Sequence, residues 1–249
     1  MAHVSQIASD VYRISVYLSQ YNLQFNHFLV LDDEPLLYHT GLRQVFPELR
    51  EGIGQIMNPN RLRWISWSHF ESDECGALNQ WLAIAPDAQP VCNTVGALVN
   101  VADYSVKPAR ILEPGETLRT GQRRFQYIST PHLPHGWDAG VLFEQTEGTM
   151  FCSDLLHQEG EVEPMTDRDV IGRTRAALEK NQGGPFADYV PYTDRTGAML
   201  NGLAALQPAT LATMHGSTYT GNCAQALRDL DVVFRDVLSG PTTASAAGR

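Results

Sequence analysis

Six residues spread over roughly 150 positions restrict what this chain can fold into more than any continuous stretch does. His69, Glu71 and Asp73 stand in the run Ser68-His69-Phe70-Glu71-Ser72-Asp73-Glu74, and His135, Asp154 and His215 follow at long intervals. Each comes just after an apolar, strand-like stretch, where a rigid sheet can aim side chains at one point. Alternate residues of an extended segment point to the same side, so His69, Glu71 and Asp73 can face one cavity. Three imidazoles and three carboxylates meeting at one edge make a two-metal site. The large carboxylate share favours iron.

The rest of the chain reads as a scaffold for that edge. Its 249 residues can form one large domain or two small ones around a real core. A formal charge of −10 argues against nucleic acid or an anionic membrane as the main partner, because both call for basic faces. The apolar runs fall far short of a membrane span of about 20 residues, and the first residues lack the charged start and apolar core of a signal peptide. Four cysteines without a C-x-x-C pair suggest neither a disulfide framework nor a thiolate zinc site. A cytoplasmic, reduced setting is the expectation.

The pattern of strands and helices occurs in two similar sets. In the first, strands are expected at 11–17, 26–31 and 35–38, the last two flanking an Asp32-Asp33-Glu34 turn. A helix follows over 41–57, then a strand at 63–67, a helix over 73–84, a strand at 90–92 and a helix from Thr94. The second set starts with strands at 109–112 and 124–129, then a hairpin of 140–144 with 149–153 around Glu147-Gly148. Helices at about 167–181, 194–206 and 222–238 surround a strand at 210–214. Two sheets face to face with helices outside, a four-layer α/β/β/α sandwich, account for this repetition; the pattern alone leaves a doubly wound sheet open. Residues 1–238 are expected as one domain, with 239–249 a disordered tail.

These motifs carry a resemblance. The ordered set His69-x-Glu71-x-Asp73, His135-Gly-Trp-Asp138, Ser153-Asp154 and His215-Gly216 resembles the metallo-β-lactamase superfamily, and within it the di-iron branch of flavodiiron and stand-alone oxygen-binding proteins. The zinc hydrolases of that superfamily carry H-x-H-x-D-H instead. The resemblance implies that His69, Glu71 and His135 hold one iron, Asp73 and His215 the second, and that Asp154 bridges them. It implies two Fe ions, with Zn or Mn as alternatives. Three carboxylates bring −3 against +4 for two ferrous ions and +6 for two ferric ions, which helps a centre that must reach its oxidised state. The implied activity is binding and reduction of O2 or NO. A dinuclear hydrolase and a non-catalytic gas sensor are the competing readings.

The chain departs from the branch in three places. Glu74 stands where histidine is usual, and is read as a catalytic group, an extra ligand or a contact behind the ligands. The loop offers both His132 and His135; the Gly-Trp-Asp after His135 favours the latter. Nothing resembles a flavodoxin domain, so no flavin is expected in this chain and electrons are expected from an external donor, with a homodimer left open. Tyr219 is read as a second catalytic group donating a hydrogen bond in the pocket, Tyr189 and Tyr192 as alternatives to it, and Trp137 as a pocket wall. Singly, each residue has a plain structural reading, Asp73 as a helix cap for instance; the weight rests on the combination.

Overall fold

Strand pairing follows from the alternation of apolar side chains along each strand. The computed structural model describes residues 1–239, and among them two seven-stranded sheets lie face to face. The first runs in chain order: β1 (His3–Ala8), β2 (Val11–Leu18), β3 (Leu23–Val30), β4 (Leu36–Tyr38), β5 (Trp64–Ser66), β6 (Gln89–Cys92) and β7 (Arg110–Ile111). The second holds β8 (Thr117–Arg119), β9 (Arg124–Ser129), β10 (Gly140–Glu144), β11 (Thr149–Phe151), β12 (Met165–Thr166), β13 (Thr210–Ala212) and β14 (Thr218–Tyr219). Its spatial order is β12-β14-β13-β11-β10-β9-β8.

Successive residues separate into different cores. Phe28 and Val30 of β3 face the second sheet while Leu29 faces outward; Leu36 and Tyr38 flank an outward Leu37 in the same way. Across the seam, Leu142, Phe151 and Ala212 face inward, whereas Val141, Phe143, Met150 and Leu211 face the other side. Both faces of the central strands are therefore buried, which explains why they read as nearly continuous apolar runs.

Helices cover both outer faces. On the first sheet lie α1 (Phe46–Gly54), α2 (Ser72–Cys75), α3 (Leu78–Ile84), α4 (Thr94–Gly96) and α5 (Ala102–Tyr104), with a wide helical turn over residues 97–101. Leu49, Ile53, Leu78, Trp81 and Val101 pack there. On the second lie α6 (Val170–Asn181), α7 (Thr196–Ala205) and α8 (Cys223–Leu238). Leu178, Leu200, Leu203, Leu227, Leu230 and Phe234 form that core. Asp169 caps α6 by accepting the Gly172 N–H at 2.7 Å, and Asn222 caps α8 through Gln225. The layers are α/β/β/α.

Two helices differ from the sequence expectation. The stretch 41–57 is helical as α1, entered through a tight turn at Arg43–Val45. The stretch 73–84 is broken, because the Ala77 N–H donates to the Gly41 carbonyl rather than along the helix. Gly76 lies at the break, where a Cβ would collide with the Ser72 carbonyl oxygen. The tail expected to be disordered lies, past Ser239, outside the described residues. Among the described residues no helix is long and apolar enough to cross a membrane.

Candidate metal centre

The six residues reach one place because their strands end at one edge of the two sheets. After β5 the chain leaves the sheet at Trp67 and bends over residues 68–70, a bend that brings Glu71 Oε2 to 3.2 Å from His69 Nε2, and Asp73 falls in the first turn of α2. His135 sits in the loop between β9 and β10. That loop is held by the His132 N–H donating to the Gly136 carbonyl at 2.7 Å and by Thr130 Oγ1 donating to the Leu133 carbonyl at 2.8 Å. Gly136 adopts φ +80°, which favours glycine. Asp138 ties the loop to the other sheet by accepting the Phe70 N–H at 3.0 Å. Asp154 and His215 follow the neighbouring parallel strands β11 and β13, whose ends are joined by the Met214 N–H to the Ser153 carbonyl at 2.7 Å.

The geometry divides into two groups sharing one carboxylate. His69 Nε2 and His135 Nε2 lie 3.2 and 3.3 Å from Glu71 Oε2, and 3.7 and 3.0 Å from Asp154 Oδ2. His215 Nε2 lies 3.3 Å from Asp73 Oδ2 and 3.5 Å from Asp154 Oδ1. The two oxygens of Asp154 thus face different groups. Donor atoms of His69, Glu71, His135 and Asp154 all lie within 4.8 Å of one another.

Hydrogen bonds behind the imidazoles orient them. His69 Nδ1 pairs with Ser68 Oγ at 2.9 Å and Ser153 Oγ at 3.3 Å, and Ser68 Oγ continues to His39 Nε2 at 3.2 Å. His215 Nδ1 donates to the Gln24 carbonyl at 2.8 Å, which leaves Nε2 free to face the cluster. Buried Arg13 and Asn26 both donate to the Gly216 carbonyl, fixing the turn after His215.

Burial alone would raise the Asp154 carboxyl, but the His135 hydrogen bond and the charges of His69, His215 and His135 hold it well below the usual range. Burial would lower His215, yet the Asp73 hydrogen bond and the Asp154 and Asp73 charges raise it to about 9. His135 is raised despite burial, by Asp154 first and then by Glu71 and Asp73. Glu74 is pushed well above its usual value, first by burial and then by Asp73 and Asp154.

Not every expected residue arrives. His132 is exposed and outside the cluster, while His135 enters it. Tyr219 is a correction: β14 pairs it with Leu211, whose face packs under the second sheet's helices, so its ring lines a surface groove with Asp167 and Asn222. Tyr192 also lies elsewhere, its hydroxyl 3.4 Å from Asp231. Trp137 is 58% exposed and does not wall the cavity. Tyr189 does, with its ring 5.7 Å from that of His135. From sequence His39 reads as a surface or core residue and Ser68 and Ser153 as parts of the motifs; all three lie buried, in the hydrogen-bond chain behind His69. A usable signal existed, because His39 follows β4 as His69 follows β5, and those strands are parallel neighbours.

A cavity of about 480 Å³ opens onto the cluster, lined by Tyr21, Leu23, Phe25, Leu42, Phe186 and Tyr189 beside the polar groups. The donor set fits a cation pair. Asp154 Oδ1 and both Glu74 oxygens are buried without a hydrogen-bond partner among the described residues, an arrangement that cations relieve.

Two facing sheets with histidine and carboxylate donors at their strand ends define a metallo-β-lactamase-like protein. The chain belongs to the ODP family of β-lactamases, whose model matches residues 23–216. Among its relatives, rubredoxin-oxygen oxidoreductase of Megalodesulfovibrio gigas is 24% identical over 207 residues, 82% of this chain and 51% of that protein. Nitric oxide reductase of Moorella thermoacetica is 26% identical over 139 residues, 54% of this chain and 34% of that one. The solved rubredoxin oxygen:oxidoreductase from Desulfovibrio gigas superposes with a TM-score of 0.78 at 19% identity, covering 92% of this chain and 61% of its own. A fragment of diflavin flavoprotein A 5 from Nostoc sp. gives 0.74 at 17% identity, covering 93% and 95%. The chain spans between about a quarter and a half of the length of the curated relatives it matches.

Proposed function

We propose that this chain is the gas-reducing core of a non-haem di-iron oxidoreductase, acting on O2 or NO with electrons from an external donor. The observation that carries the reading is the division of the Asp154 carboxylate, Oδ2 toward His69 and His135 and Oδ1 toward His215. In this reading His69, Glu71 and His135 would hold one ion, Asp73 and His215 the other, and Asp154, with one oxygen toward each group, would serve both. Bound at these residues, iron would supply one-electron redox chemistry toward a diatomic gas, with the external donor replacing the electrons spent. The names of the relatives support both gases, one being an oxygen oxidoreductase and another a nitric oxide reductase.

The remaining chemistry belongs to the chain's own side chains. Phe25, Leu23 and Leu42 give the cavity an apolar wall that admits a small uncharged gas and limits water. The Tyr189 hydroxyl is buried without a partner among the described residues and lines that cavity, so it is free to donate to an occupant. Glu71, its side chain 49% exposed, stands on the solvent side and gives a route for protons.

The test is metal analysis of protein purified without chelators, followed by anaerobic reduction and admission of O2 or NO. Two irons per chain, a new absorption band on oxygenation and gas consumption with excess reductant are expected. Iron-loaded protein that reacts with neither gas would remove the proposal.

A further inference from the structure

We propose that Glu74 is a seventh metal-binding side chain of this centre, a carboxylate engaging the same cation pair as Glu71 and Asp73. The inference rests on the metal-centre reading above and adds a ligand to it.

Glu74 is 0% exposed, yet neither of its oxygens has a hydrogen-bond partner among the described residues. No Lys or Arg forms an ion pair with it among those residues; the neighbour that approaches is His69, whose Nε2 lies 3.9 Å from Oε2. Donor oxygens of Glu71, Asp73 and Glu74 lie within 4.8 Å of one another. Because Glu71 belongs to the first group and Asp73 to the second, Glu74 stands within reach of both. Burial strongly disfavours the charged form of such a carboxyl, and among the described residues no Lys or Arg pairs with it. Side chains that merely fill space at such a position are apolar.

Charge balance points the same way. Three neutral imidazoles and three carboxylates leave two divalent cations with a net +1, and a fourth carboxylate brings the buried assembly to zero. With two trivalent ions the residual charge falls from +3 to +2, so Glu74 also favours the oxidised pair. A four-carboxylate, three-histidine set selects hard cations, iron or manganese, over zinc.

The experiment compares wild type, E74Q and E74D, each stripped of metal and titrated with Fe(II), Mn(II) and Zn(II). Cobalt(II) serves as an optical probe of coordination. E74Q keeps the side-chain volume and removes only the ionisable group, so the metal-free melting temperature is expected to hold. Affinity for Mn(II) and Fe(II) is expected to drop at least ~10-fold, with a smaller metal-induced rise in melting temperature and an altered cobalt spectrum. E74D is expected to restore part of the affinity. E74Q with unchanged affinities and an unchanged cobalt spectrum would overturn the inference. Wild type that binds no divalent cation would instead defeat the metal-centre reading itself, so the two failures are distinguishable.

Discussion

Asp154 Oδ1 lies 3.5 Å from His215 Nε2, while the other oxygen of the same carboxylate is 3.0 Å from His135 Nε2. One short side chain thus joins a loop between β9 and β10 to the end of β13. Replacing it by alanine removes the group common to both halves of the cluster. D154A is expected to lose bound metal from both positions rather than from one. Metal analysis after dialysis checks this, and retention of two ions per chain would contradict it.

The two loop histidines separate cleanly. H135A is expected to abolish uptake at the first position, because His135 closes the group with His69 and Glu71. H132A is expected to leave metal content unchanged, since His132 is exposed and outside the group. Titration with Mn(II), followed by calorimetry, distinguishes the pair.

A pH dependence follows from His215. Its pKa in the folded, metal-free protein is raised to about 9 from an ordinary value of 6.5, in spite of burial, by Asp73 and Asp154. A raised imidazole contributes stability that is complete below the unfolded value and disappears as pH climbs through the folded value. The metal-free protein is therefore expected to lose stability between pH 6.5 and about 9. In H215Q this slope is expected to flatten. Thermal melts across that range give the answer, and identical slopes would refute the assignment.

Arg13 is 1% exposed and donates to the Gly216 carbonyl at 3.1 Å and to Gln24 Oε1 at 3.2 Å. R13M keeps much of the volume but removes both bonds. A loss of roughly 1.5–3 kcal/mol is expected from chemical denaturation, the size of hydrogen bonds to a charged group. The variant should also bind metal more weakly, because the turn after His215 loses a tie.

Tyr189 and Tyr219 make a matched pair of tests. Y189F removes an unpartnered hydroxyl in the cavity, so stability should hold or rise while gas turnover falls. Y219F lies in a separate groove and should leave turnover intact. Oxygen-electrode rates on iron-loaded protein, alongside melting temperatures, decide both.

The legible parts of the sequence were those in which local pattern and tertiary environment agreed. Strands β2, β3, β10 and β11 alternate or run apolar because both faces are buried, and the hairpin at Glu147-Gly148 has a glycine at φ +80°. Strands β1, β8, β12 and β14 escaped notice. They are peripheral in their sheets or only two or three residues long, and His3–Ala8 carries few buried side chains. The break in the helix over 73–84 depends on the distant Gly41 carbonyl, which no local window contains. At the site, the chain pattern identified the residues that cluster. Tyr219, expected in the pocket, stands only four positions after His215, yet beyond the turn at Gly216, φ +115°, it lines a separate groove. His39 reads as a core residue and is buried, but its link to His69 through Ser68 is not local, because 30 positions separate the two while their strands are neighbours.

The donors are contributed equally by the two sheets: His69, Glu71 and Asp73 follow a strand of the first, and His135, Asp154 and His215 emerge from the second. Ions held at that seam would clasp the halves of the molecule together. Loading and resistance to unfolding would therefore rise and fall together.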